Sequence, residues 1–384
     1  MAKSMNRILI TGGAGFIGSN LAKKLSEKGY EVVVLDNLSK QIHGHNPEID
    51  SPLFISIMSN EKVKFIKGSV SCKRDWEIAL DGVDAIFHLA AETGTGQSMY
   101  EIKKYVDVNI NGTAIMLDLL SNTQHKVKKI VLSSSRSIYG EGRYECPIHG
   151  EIYPNQRKEY DMNRGDFECK CPHCNSELVL MATNETSKIH PSSLYGITKQ
   201  NQEQMVMLLG KSIGIDVVSL RYQNVYGPGQ SLKNPYTGIL SIFSTQIKND
   251  NNINIFEDGL ESRDFVFIDD VINATILGLE RDEAVNRSIN VGSGNPVTVL
   301  TVANTLRKNF NSKIKLDCQG NYRVGDIRHN YADISLAYEV LGYKPKVSFD
   351  IGIERFCSWV NTQDVQQDRY AKSINEMKKK GLYK

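Results

Sequence analysis

The chain has 384 residues, enough for one large domain or two of ordinary size, and its 40% hydrophobic and 23% charged residues are those of a globular protein that can bury a core. Forty-six lysines and arginines against 44 aspartates and glutamates leave a formal charge of +2, which excludes the broad basic field expected of a nucleic-acid or anionic-membrane binder. The opening MAKSMNRILITGG lacks a signal core and no apolar run approaches a membrane span, so a cytoplasmic protein with a small-molecule partner is expected.

In the first 225 residues the β-branched runs RILIT, EVVVLD, VKFIKGS, DAIFHLA, KIVLSSS and DVVSLRY alternate with amphipathic segments of helix length. Near-continuous apolar runs suit parallel strands covered on both faces, with helices as crossovers, so the pattern predicts an α/β fold with a doubly wound parallel sheet. Residues 1–140 are expected to form a nucleotide-binding core, 141–182 an insert, 183–227 the end of the core, and 228–362 mainly a smaller mixed α/β substrate lobe. The basic, polar stretch 363–384 reads as a solvated terminal helix or a frayed end.

The first strand runs into ITGGAGFIGSN, where Gly12, Gly15 and Gly18 have GxxGxxG spacing. Glycine suits a tight turn, close approach to a pyrophosphate and packing of the next helix on the strand, and that helix offers free N–H groups to the phosphates. Asp36 closes the second strand about 20 residues on, the place for a carboxylate on the adenosine ribose, and it would repel the 2′-phosphate of NADP. A Rossmann core that binds NAD is expected.

Ser135 ends the strand KIVLSSS, at the sheet edge where such folds place their chemistry, and can hydrogen-bond a reacting oxygen. Apolar periodicity then vanishes until Pro191, and this interval holds four of the seven cysteines, which fits metal binding in a reducing compartment better than a disulfide framework. CPIH supplies Cys146 and His149; CPHC supplies Cys171 and Cys174. Two such pairs can close one tetrahedral structural zinc site, with Cys169 as a substitute ligand and His173 a weaker one. A redox Cys-x-x-Cys is the rival reading and leaves Cys146 and His149 without a role. An insert this polar cannot build its own core, so metal binding would hold together a flap near the pocket mouth.

In LYGITK, Tyr195 and Lys199 stand at i and i+4 on one helix face. A phenol is a poor base at neutral pH, but an adjacent ammonium and a cationic nicotinamide favour its phenolate, so Tyr195 can take a hydroxyl proton.

With GxxGxxG, Asp36, HLAA, NINGT, the serine and YxxxK in this order, the chain resembles the extended short-chain dehydrogenase/reductases, in particular their nucleotide-sugar epimerases and dehydratases. The resemblance implies that Phe16, Ile17, Asn37, Leu89, Ala90 and Ala91 line the NAD site, together with Asn109, Ser133 and Tyr222. It continues in RYQNVYGPGQ, RDFVFIDDV and YRVGDIRHNYADIS, which implies Asn224 and Arg263 on a substrate diphosphate and Arg323 and Asp326 near the nucleoside. It also implies a homodimer through the helices DVNINGTAIMLDLLS and YGITKQNQEQMVMLLG.

Related 4,6-dehydratases carry an Asp-Glu pair just after the catalytic hydroxyl residue, where this chain has Arg136 and Ser137, so dehydration is disfavoured. Epimerisation needs only the groups present: Tyr195 deprotonates a ring hydroxyl, a hydride passes to NAD, the keto sugar turns, and the hydride returns to its other face. LDNLSKQIHG, ETGTGQSMYEI, NPYTGILSIF and IFEDGLESRDF resemble the dTDP-L-rhamnose 4-epimerases, which implies Thr95, Gln97 and Ser98 against the hexose and C4 chemistry on a dTDP- or UDP-hexose. A C2 epimerase, a 4-keto reductase, and an idle nucleotide-sugar- or RNA-binding protein are the alternatives.

Overall fold

The computed structural model describes residues 5–236 and 238–384. Seven parallel strands form its central sheet, in the spatial order Arg287–Val291, Asp216–Tyr222, Lys129–Ser135, Ala85–His88, Arg7–Thr11, Glu31–Asp36 and Val63–Lys67. The continuous apolar runs have their expected use. Ile8 and Ile10 point into the core on one side of the sheet and Leu9 into the core on the other, all three fully buried. Strand order reverses between Arg7–Thr11 and Ala85–His88, which opens a crevice at the carboxyl edge of the sheet.

A second lobe is built on a four-stranded sheet of Asn224–Tyr226, Ser262–Phe267, Pro296–Thr298 and His329–Asn330, with Ile253–Ile255 and Leu316–Cys318 paired beside it. Part of the interval 228–362 lies outside this lobe. Helix Ile268–Glu280 packs on the first helix Phe16–Glu27, and strand Arg287–Val291 extends the central sheet, so both belong to the nucleotide-binding core. The reason is burial: Ile289 and Val291 are fully buried, a fit to the sheet that a five-residue strand next to Gly- and Asn-rich turns does not advertise.

The interval 141–182 is an insert, folded as a three-stranded antiparallel sheet of Tyr144–Cys146, Gly150–Ile152 and Val179–Leu180 with a short helix Glu159–Met162. The terminal stretch is not a frayed end. Its helix Tyr370–Lys379 buries Ser373 and Met377, and the chain end pairs with residues 322–324 through Tyr322 N–H to the Lys384 carbonyl (2.8 Å) and Lys384 N–H back to the Tyr322 carbonyl (3.0 Å). Lysines dominate its composition, and the few buried positions are too sparse to show as an apolar stripe.

Candidate active site

Two cavities meet at the carboxyl edge of the sheet. One, of about 340 Å³, is lined by Gly12, Gly15, Phe16, Ile17 and Gly18, by Asp36 and Asn37, and by Leu89, Ala90 and Ala91. Ser133, Ser135, Tyr195, Lys199 and Tyr222 form its inner end. Glycine is required at the turn: Gly12 has φ +66°, and a Cβ there would stand 2.8 Å from the Ala90 Cα. A Cβ on Gly18 would stand 2.4 Å from the Gly12 carbonyl oxygen. The first helix begins at Phe16 without a side-chain cap, which leaves its N-terminal N–H groups facing the cavity end.

The Asp36 carboxylate accepts from the backbone N–H of Ala14 (3.0 Å) and of Leu38 (2.9 Å), so it is fixed at the cavity wall. Burial pushes its pKa up against those two N–H groups and the nearby His43. Ser69 and Val70 also line this cavity. The donor set fits an adenine dinucleotide with a free ribose hydroxyl edge. Competition binding should therefore show NAD held more tightly than NADP; tighter NADP binding would remove the role given to Asp36.

Catalytic side chains are set by the helix Leu194–Ser212. Ser193 caps it by accepting from the Gly196 N–H (3.2 Å), and Gly196 lets the helix start close to the preceding strand, since a Cβ there would lie 2.6 Å from the Ser137 carbonyl oxygen. Tyr195 and Lys199 thus project one turn apart toward Ser135. Burial raises the Tyr195 pKa, while the Ser135 hydroxyl and the Arg136 charge pull it down. Lys199 is fully buried, donates to Gln202 Oε1 (2.9 Å), and is pushed down to about 7 by burial, with Glu203 opposing. Behind it Gln202 donates to Thr113 (2.8 Å), which also contacts His88 (3.0 Å), so the lysine rests on a fixed buried network.

The second cavity, of about 410 Å³, shares Ser135, Tyr195 and Tyr222 with the first and extends into the smaller lobe. Thr95, Gln97, Asn224, Arg263, Arg323 and Asp326 all line it, as the sequence leads one to expect. Arg263 donates to the carbonyls of Ser262, Ile327 and Arg328, and Arg323 forms a two-nitrogen pair with Asp326 (2.9 and 2.8 Å). Two expected contacts lie elsewhere. Ser98 is fully buried outside the cavity lining, donating to the Thr95 carbonyl (2.6 Å) and accepting from the Tyr195 N–H (3.1 Å). Asn109 is likewise fully buried outside both linings, and its amide ties Glu92 N–H (2.8 Å), the Glu92 carbonyl (3.1 Å) and Thr198 (2.9 Å) together. In this structure the hydrogen bonds of each run to protein groups and tie the helix Leu194–Ser212 to its neighbours, leaving no face on the cavity.

Sequence pattern assigns no binding role to three further residues that line the second cavity. Arg136 lines the second cavity, donates from Nε to Asn224 Oδ1 (3.1 Å), and has its pKa lowered to about 9 by burial and Arg263, so it is a cation beside Tyr195 at neutral pH. Glu261 faces the same cavity with its pKa raised to about 8 by burial and Glu257. Tyr370 reaches it from the terminal helix.

In the insert, Cys146, His149, Cys171 and Cys174 converge. Cys146 Sγ is 3.5 Å from His149 Nδ1 and 3.6 Å from Cys174 Sγ, Cys171 Sγ is 3.6 Å from His149 Nδ1, and one ligand atom from each lies within 4.8 Å of all the others. Cys169 is buried apart from them, against Glu141 and Tyr144, and is not a member of the cluster. The insert contributes no residue to either cavity lining; its link to the site runs through Arg157, which donates to both Glu257 carboxylate oxygens (2.9 and 2.7 Å) and to the Asp326 carbonyl (3.0 Å).

The chain belongs to the NAD dependent epimerase/dehydratase family, whose model matches residues 8–164 and 175–292. The interruption falls inside the insert. A dTDP-L-rhamnose 4-epimerase of Burkholderia thailandensis is 34% identical over 92% of this chain and 94% of its own length. Among solved structures, the UDP-glucuronic acid 4-epimerase of Bacillus cereus with UDP-glucuronic acid and NAD aligns at 27% identity and TM-score 0.76, over 92% of this chain and 99% of that one. The UDP-glucose 4-epimerase of Thermotoga maritima with UDP-glucose aligns at 29% identity and TM-score 0.73, over 92% and 98%. Among the described residues no helix is long and apolar enough to cross a membrane.

Proposed function

We propose that this protein is an NAD-dependent nucleotide-sugar 4-epimerase acting on a dTDP- or UDP-hexose through a transient 4-keto sugar. The observation that carries the reading is the position of Ser135 and Tyr195 at the junction of a cavity shaped for a dinucleotide and one lined by arginines. NAD, when bound, supplies a reversible hydride acceptor. Tyr195 takes the sugar hydroxyl proton and later returns it, Ser135 orients that oxygen, and the Lys199 ammonium favours the phenolate. Arg263, with Asn224, suits the diphosphate, where a planar guanidinium can bond oxygens, and Arg323 with Asp326 suits the nucleoside end. Support for a 4-epimerase comes from the B. thailandensis relative and from the B. cereus and T. maritima structures. The test is a panel of dTDP-, UDP-, GDP- and CDP-sugars read by NMR for inverted ring protons; a reduced product, or inversion at C2 alone, would overturn the reading.

The insert holds one structural zinc in this account. Metal–sulfur distances of about 2.3 Å and metal–nitrogen distances of about 2.0–2.1 Å give tetrahedron edges of about 3.6–3.8 Å. The cluster's 3.5–3.6 Å separations match those edges. Four protein ligands leave the metal no open position, so it would take no part in the proton and hydride chemistry.

The enzyme acts as a homodimer through the helices Gly112–Asn122 and Leu194–Ser212. Most of their apolar residues face the sheet, but Ile197 and Leu208 remain 43% and 72% exposed on the catalytic helix. Light scattering at micromolar concentration should give twice the chain mass; a monomer mass contradicts the assignment.

A further inference from the structure

The terminal helix Tyr370–Lys379 presents two unlike faces. Lys372, Lys378 and Lys379 are exposed, whereas Ser373 and Met377 are buried. Tyr370, Ser373 and Met377, spaced at i, i+3 and i+7, fall on one side of the helix, and all three line the second cavity. Opposite them stands the turn that carries Thr95 and Gln97. The contact is close: a Cβ on Gly96 would lie 3.0 Å from Arg323 Nη1 and 3.3 Å from Met377 Sδ.

The helix is held by few bonds. Glu376 accepts at Oε2 from the Tyr236 hydroxyl (2.7 Å) and from the Tyr100 hydroxyl (3.3 Å), one on each of two loops flanking the cavity. Beyond the helix, the Val324 N–H donates to the Leu382 carbonyl (3.0 Å) and the Tyr322 N–H to that of Lys384 (2.8 Å), bracketing Arg323. Lys384 also pairs with Glu159 of the insert. The connection 361–369 is mostly exposed and is tied to the lobe by Asn249 Nδ2 to the Gln366 carbonyl and Asn251 Nδ2 to Asp368 (both 2.8 Å), so the helix is an element fastened at separate polar points, suited to open for a ligand and close behind it.

We propose that this helix is the closing wall of the nucleotide-sugar site, that Tyr370, Ser373 and Met377 discriminate among sugars, and that Glu376 is the positioning residue that latches the wall. The inference rests on the nucleotide-sugar reading above and adds a specificity element to it. A carboxylate is not needed for the latch, only an oxygen able to accept from two phenols, so Glu376→Gln should behave as wild type. Glu376→Ala should raise KM for the nucleotide sugar roughly tenfold, with kcat and bound NAD little changed. Met377→Ala should shift the ratio of kcat/KM between two nucleotide sugars that share a nucleoside and differ in the hexose.

Steady-state kinetics of the three variants, with cofactor content, decide it. A wild-type protein that turns over no nucleotide sugar overturns the functional reading and this inference with it. With turnover established, a Glu376→Ala KM within about twofold of wild type, equal damage from Glu376→Gln, or an unmoved ratio in Met377→Ala overturns the wall and leaves the functional reading standing.

Discussion

Tyr195→Phe is expected to lower kcat by about 10² to 10⁴ while NAD and nucleotide sugar still bind, because the substitution removes one oxygen from the junction of the cavities and little else. The magnitude follows from how the site is set. Burial raises the phenol pKa, and the Ser135 hydroxyl and Arg136 cation only partly offset that rise. Lys199, whose charge would favour the phenolate, is itself pushed down to about 7 by burial. The sign matters here. Raising the pH helps the phenol ionise, yet it also removes the Lys199 charge as pH passes through about 7 in the unliganded protein. With its pKa raised above the ordinary phenol value, Tyr195 is a protonated phenol at neutral pH in the unliganded protein. The phenylalanine variant keeps the lysine, the cavity walls and the Gln202 contact but has no atom to accept the sugar proton. Single-turnover kinetics with the epimerising sugar, alongside cofactor titration, check this; a kcat within about tenfold of wild type would place the base elsewhere.

Much of this arrangement is legible in the sequence because it depends on local pattern. Parallel strands covered on both sides need uninterrupted apolar runs, a dinucleotide turn needs glycines at fixed spacing, and a Tyr–Lys pair on one helix face needs an i, i+4 spacing. Position relative to distant chain is not written in such patterns. Asn109 and Ser98 sit in segments that line a cavity, but whether each points at the ligand or back into the protein depends on Thr198 and on the Tyr195 N–H, 89 and 97 residues away. Arg287–Val291 joins the central sheet only because Asp216–Tyr222 offers an edge. The terminal helix reads as solvated since its lysines outnumber its buried residues, and nothing local announces the Tyr100 and Tyr236 hydroxyls that anchor Glu376.

Removing the zinc proposed for the insert, or the change Cys171→Ser, is expected to raise KM more than it lowers kcat, with NAD binding retained. Cys146, Ile152 and Cys171, with Cys174 and Leu178 packed on them, form the apolar cluster beneath the insert's strands, while Met162 and Phe167 pack separately on Tyr322, so little apolar contact holds the three short strands together. A four-ligand zinc would provide that stability, as in small metal-dependent domains. No insert residue lines the second cavity, so the consequence must travel. Its route is Arg157, which grips Glu257 and the Asp326 carbonyl, and Glu168, which accepts from Arg328 and His329. Glu257 and Asp326 are cavity residues, and Asp326 in turn orients Arg323. Loosening the insert therefore frees the arginine end of the substrate site while Ser135, Tyr195 and Lys199, mounted on the central sheet and its helix, stay in place. Arg157→Met should reproduce part of the rise in KM with metal content unchanged, since it cuts one of the two links and touches no cysteine or histidine of the cluster. Metal content by plasma emission, hydrogen exchange over residues 141–182, and kinetics of both variants provide the check. Absence of zinc from the wild-type protein, or a loss confined to kcat with KM and exchange unchanged, would show that the cysteine cluster has another purpose.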